Sequence, residues 1–194
     1  MALTLNEGTS FTPAPAGLHN AVCTMVVDLG LQPSLYGNKA KVLIGWELVN
    51  VLRDDGRPFV ISRTFGATLS KQGSLRPLIE TWRGRPLTAD EAAGFDLKTL
   101  VGQPCKVLIQ HAETKDGRLF ANAQTVIKAD PGQPTTAQTD LVFFDQDQPD
   151  PVAQSKLPDW INRLIEQAVH VERKPAPAPQ PPAPFDDDLA DFPL

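Results

Sequence analysis

Basic residues recur along this chain, some of them beside aromatic rings: Tyr36 with Lys39 and Lys41, Arg63 with Phe65, and Arg118 with Phe120, along with the cations Lys71, Arg76, Arg83 and Arg85. Cations pair with phosphate and flat rings stack on unstacked bases, so this combination suits the binding of a nucleic-acid single strand. Plainer uses compete. Phe65 and Phe120 fit a core as well as a stacking platform, Trp46 and Trp82 fit a core better, and the arginines flanking Gly84 can cap a helix end. Convergence of these residues on one face is what the binding reading requires.

Groups arranged to react are missing from the pattern. His19, His111 and His170 are scattered, with no partner at metal-ligand or catalytic spacing, and no Gly-rich phosphate loop, HExxH or GxSxG motif occurs. Cys23 and Cys105 sit in apolar strand-like runs, which suits buried free thiols. The expectation is a binding protein rather than an enzyme, with no cofactor or metal.

A second set of residues is suited to being recognised. Asp186, Asp187, Asp188 and Asp191 stand beside an apolar end, Phe192-Pro193-Leu194, behind a spacer from Lys174 to Pro184 that holds six prolines. Such a spacer cannot form a helix or a central strand, and a solvated acidic cluster cannot support a core. Charge follows the same division. Residues 1–135 carry 14 basic and 12 acidic residues, whereas residues 136–194 carry 4 and 11, which accounts for the net charge of -5. A mildly basic body with an acidic tail is able to approach polyanions and also to recruit basic partner surfaces.

The elements that must position these groups are legible from period and punctuation. Residues 1–17 read as an irregular arm. Ala21, Cys23, Met25, Val27 and Leu29 share one parity, as in a half-buried strand, and Gln32 to Lys41 reads as a loop. Lys41–Leu52 and Phe59–Phe65 read as a hairpin around Asp54-Asp55-Gly56. Leu75, Leu78, Ile79 and Trp82 share a helical face, with Ser74 as N-cap and Gly84 as the stop. Thr88 and Glu91 have capping-box spacing and open a second short helix ending near Gly94. Cys105–His111 and Arg118–Ile127 read as a second hairpin around Lys115-Asp116-Gly117.

This order is that of a mainly β, five-stranded OB-fold barrel with a helical insert between its third and fourth strands. Leu141–Phe144 reads as an added edge element. Leu157, Trp160, Ile161, Leu164, Ile165, Ala168 and Val169 predict an amphipathic helix that docks on its own domain or on a partner. The domains expected are an arm over 1–17, the OB-fold over 18–130, an extension with the helix over 131–173, and a disordered Pro-rich and acidic tail over 174–194. No run is apolar enough for a membrane span and no basic-then-apolar leader opens the chain, so a soluble protein is expected.

The run Ser74 to Thr88, which includes Trp82-Arg83-Gly84-Arg85, together with Gly94-Phe95-Asp96-Leu97, Leu100-Val101-Gly102-Gln103-Pro104-Cys105 and the Trp46-Glu47-Leu48 strand, resembles a family of bacteriophage OB-fold single-stranded DNA-binding proteins. The resemblance covers about residues 18–128. The tail is similar to the acidic, apolar-ended tip of bacterial single-stranded DNA-binding proteins, although it closes in Phe-Pro-Leu rather than Pro-Phe. The resemblance implies DNA replication or recombination in the cytoplasm of an infected bacterial host. Single-stranded DNA would be held by Tyr36, Lys39, Lys41, Arg63, Phe65, Lys71, Arg76, Arg83, Arg85, Arg118 and Phe120. Replication or recombination proteins would be recruited through Asp186, Asp187, Asp188, Asp191, Phe192 and Leu194. The alternative is a protein-interaction adaptor of such a complex without strong DNA binding, and a homo-oligomer is open to either.

Overall fold

A computed structural model describes residues 12–35, 37–115, 117, 119–134 and 136–169. The fold is mainly β. Strands β1 (Gly17–Gln32), β2 (Lys39–Leu52), β3 (Pro58–Gly66), β4 (Pro104–Glu113) and β5 (Leu119–Lys128) pair antiparallel in the order β3-β2-β1-β4-β5. A sixth short strand, β6 (Val142–Phe144), lies parallel to β1. Between β3 and β4 run helices α1 (Leu75–Arg83) and α2 (Ala89–Ala93) and a 3-10 turn, Leu97–Leu100. Two further helices, α3 (Pro151–Ser155) and α4 (Asp159–Glu166), follow β6. The ladder path ends at β3 and β5, so the sheet is open by its backbone pairing among the described residues. Arg63 spans that opening, donating from Nη1 to the carbonyls of Ala123 at 3.0 Å and Gln124 at 3.1 Å.

β1 departs from the simple alternation its sequence suggests. A register shift between Cys23 and Met25 marks a bulge at Thr24, and a bulge reverses which face the following residues take. Ala21, Cys23 and Val26 consequently face one core, while Met25, Val27 and Leu29 face another. The bulge also falls where the neighbour of β1 changes. β4 pairs with Gly17 to Val22, and β6 takes up the same edge from Met25 to Val27.

The two cores lie on opposite sides of β1 and β2. In the first, Val42, Ile44, Trp46 and Leu48 of β2 meet Leu75, Leu78, Ile79 and Trp82 of α1. In the second, Val27, Leu29 and Leu43 are covered by Val142, Phe144, Leu157, Ile161 and Ile165. Burying both faces makes this part of the sheet the middle of three layers. The helix predicted over Leu157–Val169 is thus docked on its own domain as the shorter α4, and the separate helix α3 precedes it. Leu157 lies in the link between α3 and α4, and Trp160 points outward at 48% exposure. Gln32 Nε2 ties the end of α4 back to β1, donating to Leu164 O at 2.7 Å, and Val169 N donates to Leu31 O at 2.8 Å.

A buried acid fastens the covering segment. Glu47 of β2 is 2% exposed, and its carboxylate accepts from Gln138 N at 2.8 Å, Thr139 N at 2.7 Å and Thr139 Oγ1 at 2.5 Å. The irregular arm also contributes to the core. Ala14 is buried, and its carbonyl meets His111 Nε2 at 2.8 Å while Pro15 O meets His19 Nε2 at 2.9 Å. Cys23 and Cys105 are buried free thiols, and burial pushes both thiol pKa values up. That state suits packing and not reaction.

Candidate nucleic-acid interface

The end of α1 carries the candidate site, and local chain chemistry builds it. Gly84 takes the left-handed conformation, φ 70° and ψ 20°. Its N–H reaches Thr81 O, and Arg85 N donates to Glu80 O at 3.1 Å, the paired hydrogen bonds of a Schellman ending. Arg83 and Arg85 therefore stand on either side of a forced turn. Glu80 secures the turn from below, accepting from Leu87 N at 3.0 Å and from Arg76 Nε at 2.9 Å.

Both arginines close on one acid. Glu91 is the third residue of α2, and its backbone N–H donates to Thr88 Oγ1 while its own carboxylate accepts from Thr88 N at 3.0 Å, completing the capping box. That carboxylate also accepts from Arg83 Nη1 at 2.8 Å and from Arg85 Nη1 and Nη2 at 2.8 and 2.6 Å. Arg83 lies over the Phe95 ring at 5.5 Å. The floor is Trp82, whose Nε1 donates to Pro104 O at 3.0 Å. The stem of Lys128 passes so near Gly84 that a Cβ there would lie 3.1 Å from its Cδ.

These groups wall a groove of about 700 Å³. Its charged lining is Arg83, Arg85 and Lys128 against Glu91 and Asp96, a balance of one positive charge, with the Phe95 ring beside them. Runs distant in sequence meet here: Trp82 to Arg85, Gly94 to Asp96, and Leu100 with Gln103 and Pro104. A volume of this size accommodates a nucleotide.

The remaining predicted site residues lie elsewhere. Phe65 is 2% exposed, so it is a core ring, with Arg63 lying over it at 5.1 Å, and it presents no face for stacking. Arg63 is committed to the β5 carbonyls, and Arg76, in the first turn of α1, is committed to Glu80 and does not line the groove. Lys39 and Lys41 lie at the start of β2, paired with Gln32 and Gly30, and Lys71 is exposed in the loop before α1. Phe120 is on β5 opposite Ala112 and is 41% exposed. Tyr36, Arg118 and the tail residues Asp186, Asp187, Asp188, Asp191, Phe192 and Leu194 lie outside the described residues. Of the predicted cations, the groove gathers Arg83 and Arg85. It adds Phe95 and Lys128, which pattern reading missed. Phe95 belongs to the Gly94-Phe95-Asp96-Leu97 run that carries part of the family resemblance, whereas Lys128 reaches the groove through its pairing with Cys105 across β4 and β5.

The ion pairs make the site sensitive to acid. The Arg85 guanidinium, then the Thr88 N–H and Arg83, hold the Glu91 carboxyl well below its ordinary value, and the Leu87 N–H and Arg76 lower that of Glu80. Lowered values in the folded chain mean that this stabilisation is complete above the ordinary carboxylate value of 4.5 and is lost as pH falls below it. Melting temperature is therefore expected to drop between about pH 5 and about pH 3, with a shallower drop in Glu91→Gln. Equal slopes for the two proteins would contradict this. No protein-family model matches the chain, and no curated protein matches it in sequence.

Proposed function

We propose that this chain is a single-stranded DNA-binding protein of bacteriophage replication or recombination, acting in the infected bacterial host. The observation that carries the proposal is the groove at the end of α1, where Arg83, Arg85 and Lys128 stand beside the Phe95 ring. Cations for phosphate next to a ring for a base are what strand binding without sequence preference needs. The strand order and the Arg63 bridge between β3 and β5 support reading the sheet as a curled OB-type barrel, with α1, α2 and the 3-10 turn as its helical insert. In that reading Trp46 and Trp82 are core, and the groove lies beside the barrel wall.

The acidic tip at Asp186 to Leu194 is read as the recruiting element for replication or recombination proteins. Its attachment favours a second effect. Val169, the last described residue, is tied to Leu31, next to Lys39 and Lys41 in the β1–β2 pairing, so the segment that carries the tip is joined to the described residues beside two cations. An anionic tail starting there can compete with phosphates, and salt weakens the competition. Trp160 and Val152, 48% and 64% exposed, favour a protein-binding role for the α3–α4 surface, the feature on which the adaptor reading rests.

Fluorescence-anisotropy titration of the full chain with oligo-dT and with duplex DNA, at two salt concentrations, tests the proposal. The expected result is preference for the single strand, with log K falling as log salt rises. Absence of binding to either DNA would overturn it.

A further inference from the structure

The fork formed by Arg83 and Arg85 is already occupied by a side chain of the protein itself. Both carboxylate oxygens of Glu91 are engaged, one by Arg83 Nη1 and Arg85 Nη2 and the other by Arg85 Nη1, with distances of 2.6–2.8 Å. Two nitrogens meeting two oxygens is also the arrangement in which a guanidinium holds a phosphate. We infer that Glu91 stands in for a phosphate group in this groove, and that a phosphate-bearing ligand binds by displacing it from Arg83 and Arg85. The inference rests on the strand-binding reading of the same groove, and extends it by naming what sets the affinity.

Three features of the site make such an exchange feasible. First, the donors can be reached, because the side chains of Arg83 and Arg85 are 30% and 48% exposed. Second, releasing the arginines does not undo α2. Glu91 Oε2 also accepts the Thr88 N–H, and the Thr88 side chain accepts the Glu91 N–H, so the capping box persists when the carboxylate turns away from the fork. Third, the incoming group finds more than Glu91 satisfies. Lys128 lines the groove without being part of the fork, and Arg83 uses a single nitrogen on Glu91. A phosphate in the fork gains the pull of three cations at the expense of the two ion pairs that Arg83 and Arg85 make with Glu91.

The acid therefore sets a threshold. With Glu91 present the ionised lining sums to one positive charge, and without its charge the sum is two. A strand would be held loosely and released readily in the first case and more tightly in the second. Glu91→Gln is the informative change, since an amide oxygen still accepts the Thr88 N–H in a capping box while the negative charge is gone.

The test titrates the full wild-type chain and its Glu91→Gln variant with oligo-dT and with thymidine monophosphate at low salt, using uncharged thymidine as the control. The expected result is binding of a phosphate-bearing probe about fivefold to tenfold tighter in Glu91→Gln, with thymidine unaffected. In an Arg85→Ala background the same change is expected to have a much smaller effect. Tightening for oligo-dT alone identifies the ligand group as a strand phosphodiester. Tightening for thymidine monophosphate as well identifies any phosphate, including a strand end or a free nucleotide. Unchanged or weaker binding of both probes would overturn the inference. If wild type binds oligo-dT and Glu91→Gln changes neither probe, the exchange fails while strand binding stands. If oligo-dT does not bind but thymidine monophosphate tightens, strand binding fails while the exchange stands. A measurement on the wild type needs no variant: the Nε–H resonances of Arg83 and Arg85 should shift when oligo-dT or thymidine monophosphate is added, and their constancy with both probes at saturation would overturn the inference as well.

Discussion

Trp82→Ala is expected to destabilise the chain by about 3–5 kcal/mol and to lower its melting temperature by roughly 6–20 °C. Trp82 is 4% exposed and joins α1 to the core. Its ring meets that of Trp46 edge-on, with centroids 6.2 Å apart and planes at 60°. Truncation removes this contact, opens a cavity beneath α1, and leaves the Pro104 carbonyl without the indole N–H at 3.0 Å. Because the same ring is the floor of the groove, DNA affinity should fall along with stability. Trp82→Phe separates the contributions, since it keeps most of the apolar contact and loses the hydrogen bond, for a cost of about 1–2 kcal/mol. Urea denaturation followed by circular dichroism provides the comparison. A loss below about 1 kcal/mol for the alanine variant would mean that α1 is not anchored as described.

Glu47→Ala should cost about 2–4 kcal/mol, and the loss should extend well beyond β2. Three donors of the covering segment, Gln138 N, Thr139 N and Thr139 Oγ1, converge on this carboxylate, which is itself 2% exposed. Alanine leaves them without that acceptor at the point where the segment begins to cross the sheet. β6 and α4 lie just downstream and cover Val27, Leu29 and Leu43, so they should loosen together. Hydrogen exchange reads this directly. Amides of β6 and α4 should lose protection in Glu47→Ala by more than those of β4 and β5. Uniform protection, or an unchanged melting temperature, would show that apolar burial alone holds the segment. Glu47→Gln, with one acceptor oxygen in place of two, should fall between alanine and wild type.

Much of the architecture is legible in the chain because its signals are local. The spacing of Leu75, Leu78, Ile79 and Trp82 is that of a helical face, Gly84 ends α1 in the left-handed conformation, and Thr88 with Glu91 makes the capping box its spacing suggests. In β2, Val42, Ile44, Trp46 and Leu48 face one core as their alternation implies. β1 could not be read in the same way. Parity counted from Ala21 to Leu29 assumes a regular strand, and the bulge at Thr24 depends on the change of neighbour from β4 to β6. The apolar stripe from Leu157 to Val169 is similarly continuous in sequence, yet the helix is confined to Asp159–Glu166 behind Pro158 as its N-cap, and only Ile161 and Ile165 of α4 are fully turned inward.

The candidate site divides along the same line. Arg83 and Arg85 are adjacent to a glycine that must turn, so their proximity is local and readable. Phe95 and Lys128 join them through tertiary packing and strand register, which no short motif encodes. Phe65 and Arg76 show the converse. Their residue types suit DNA, but Phe65 is on the inward face of β3 and Arg76 is within one helical turn of Glu80.

If Arg83 and Arg85 hold a DNA strand in the groove at the end of α1, as proposed, the Arg83→Ala/Arg85→Ala double variant must bind it weakly. Its affinity for oligo-dT, measured against wild type over a range of salt with folding checked by circular dichroism, should fall about 10- to 100-fold at low salt, and the slope of log K against log salt should become shallower by about 1–1.5. Wild-type affinity and an unchanged slope in a folded double variant would contradict the account.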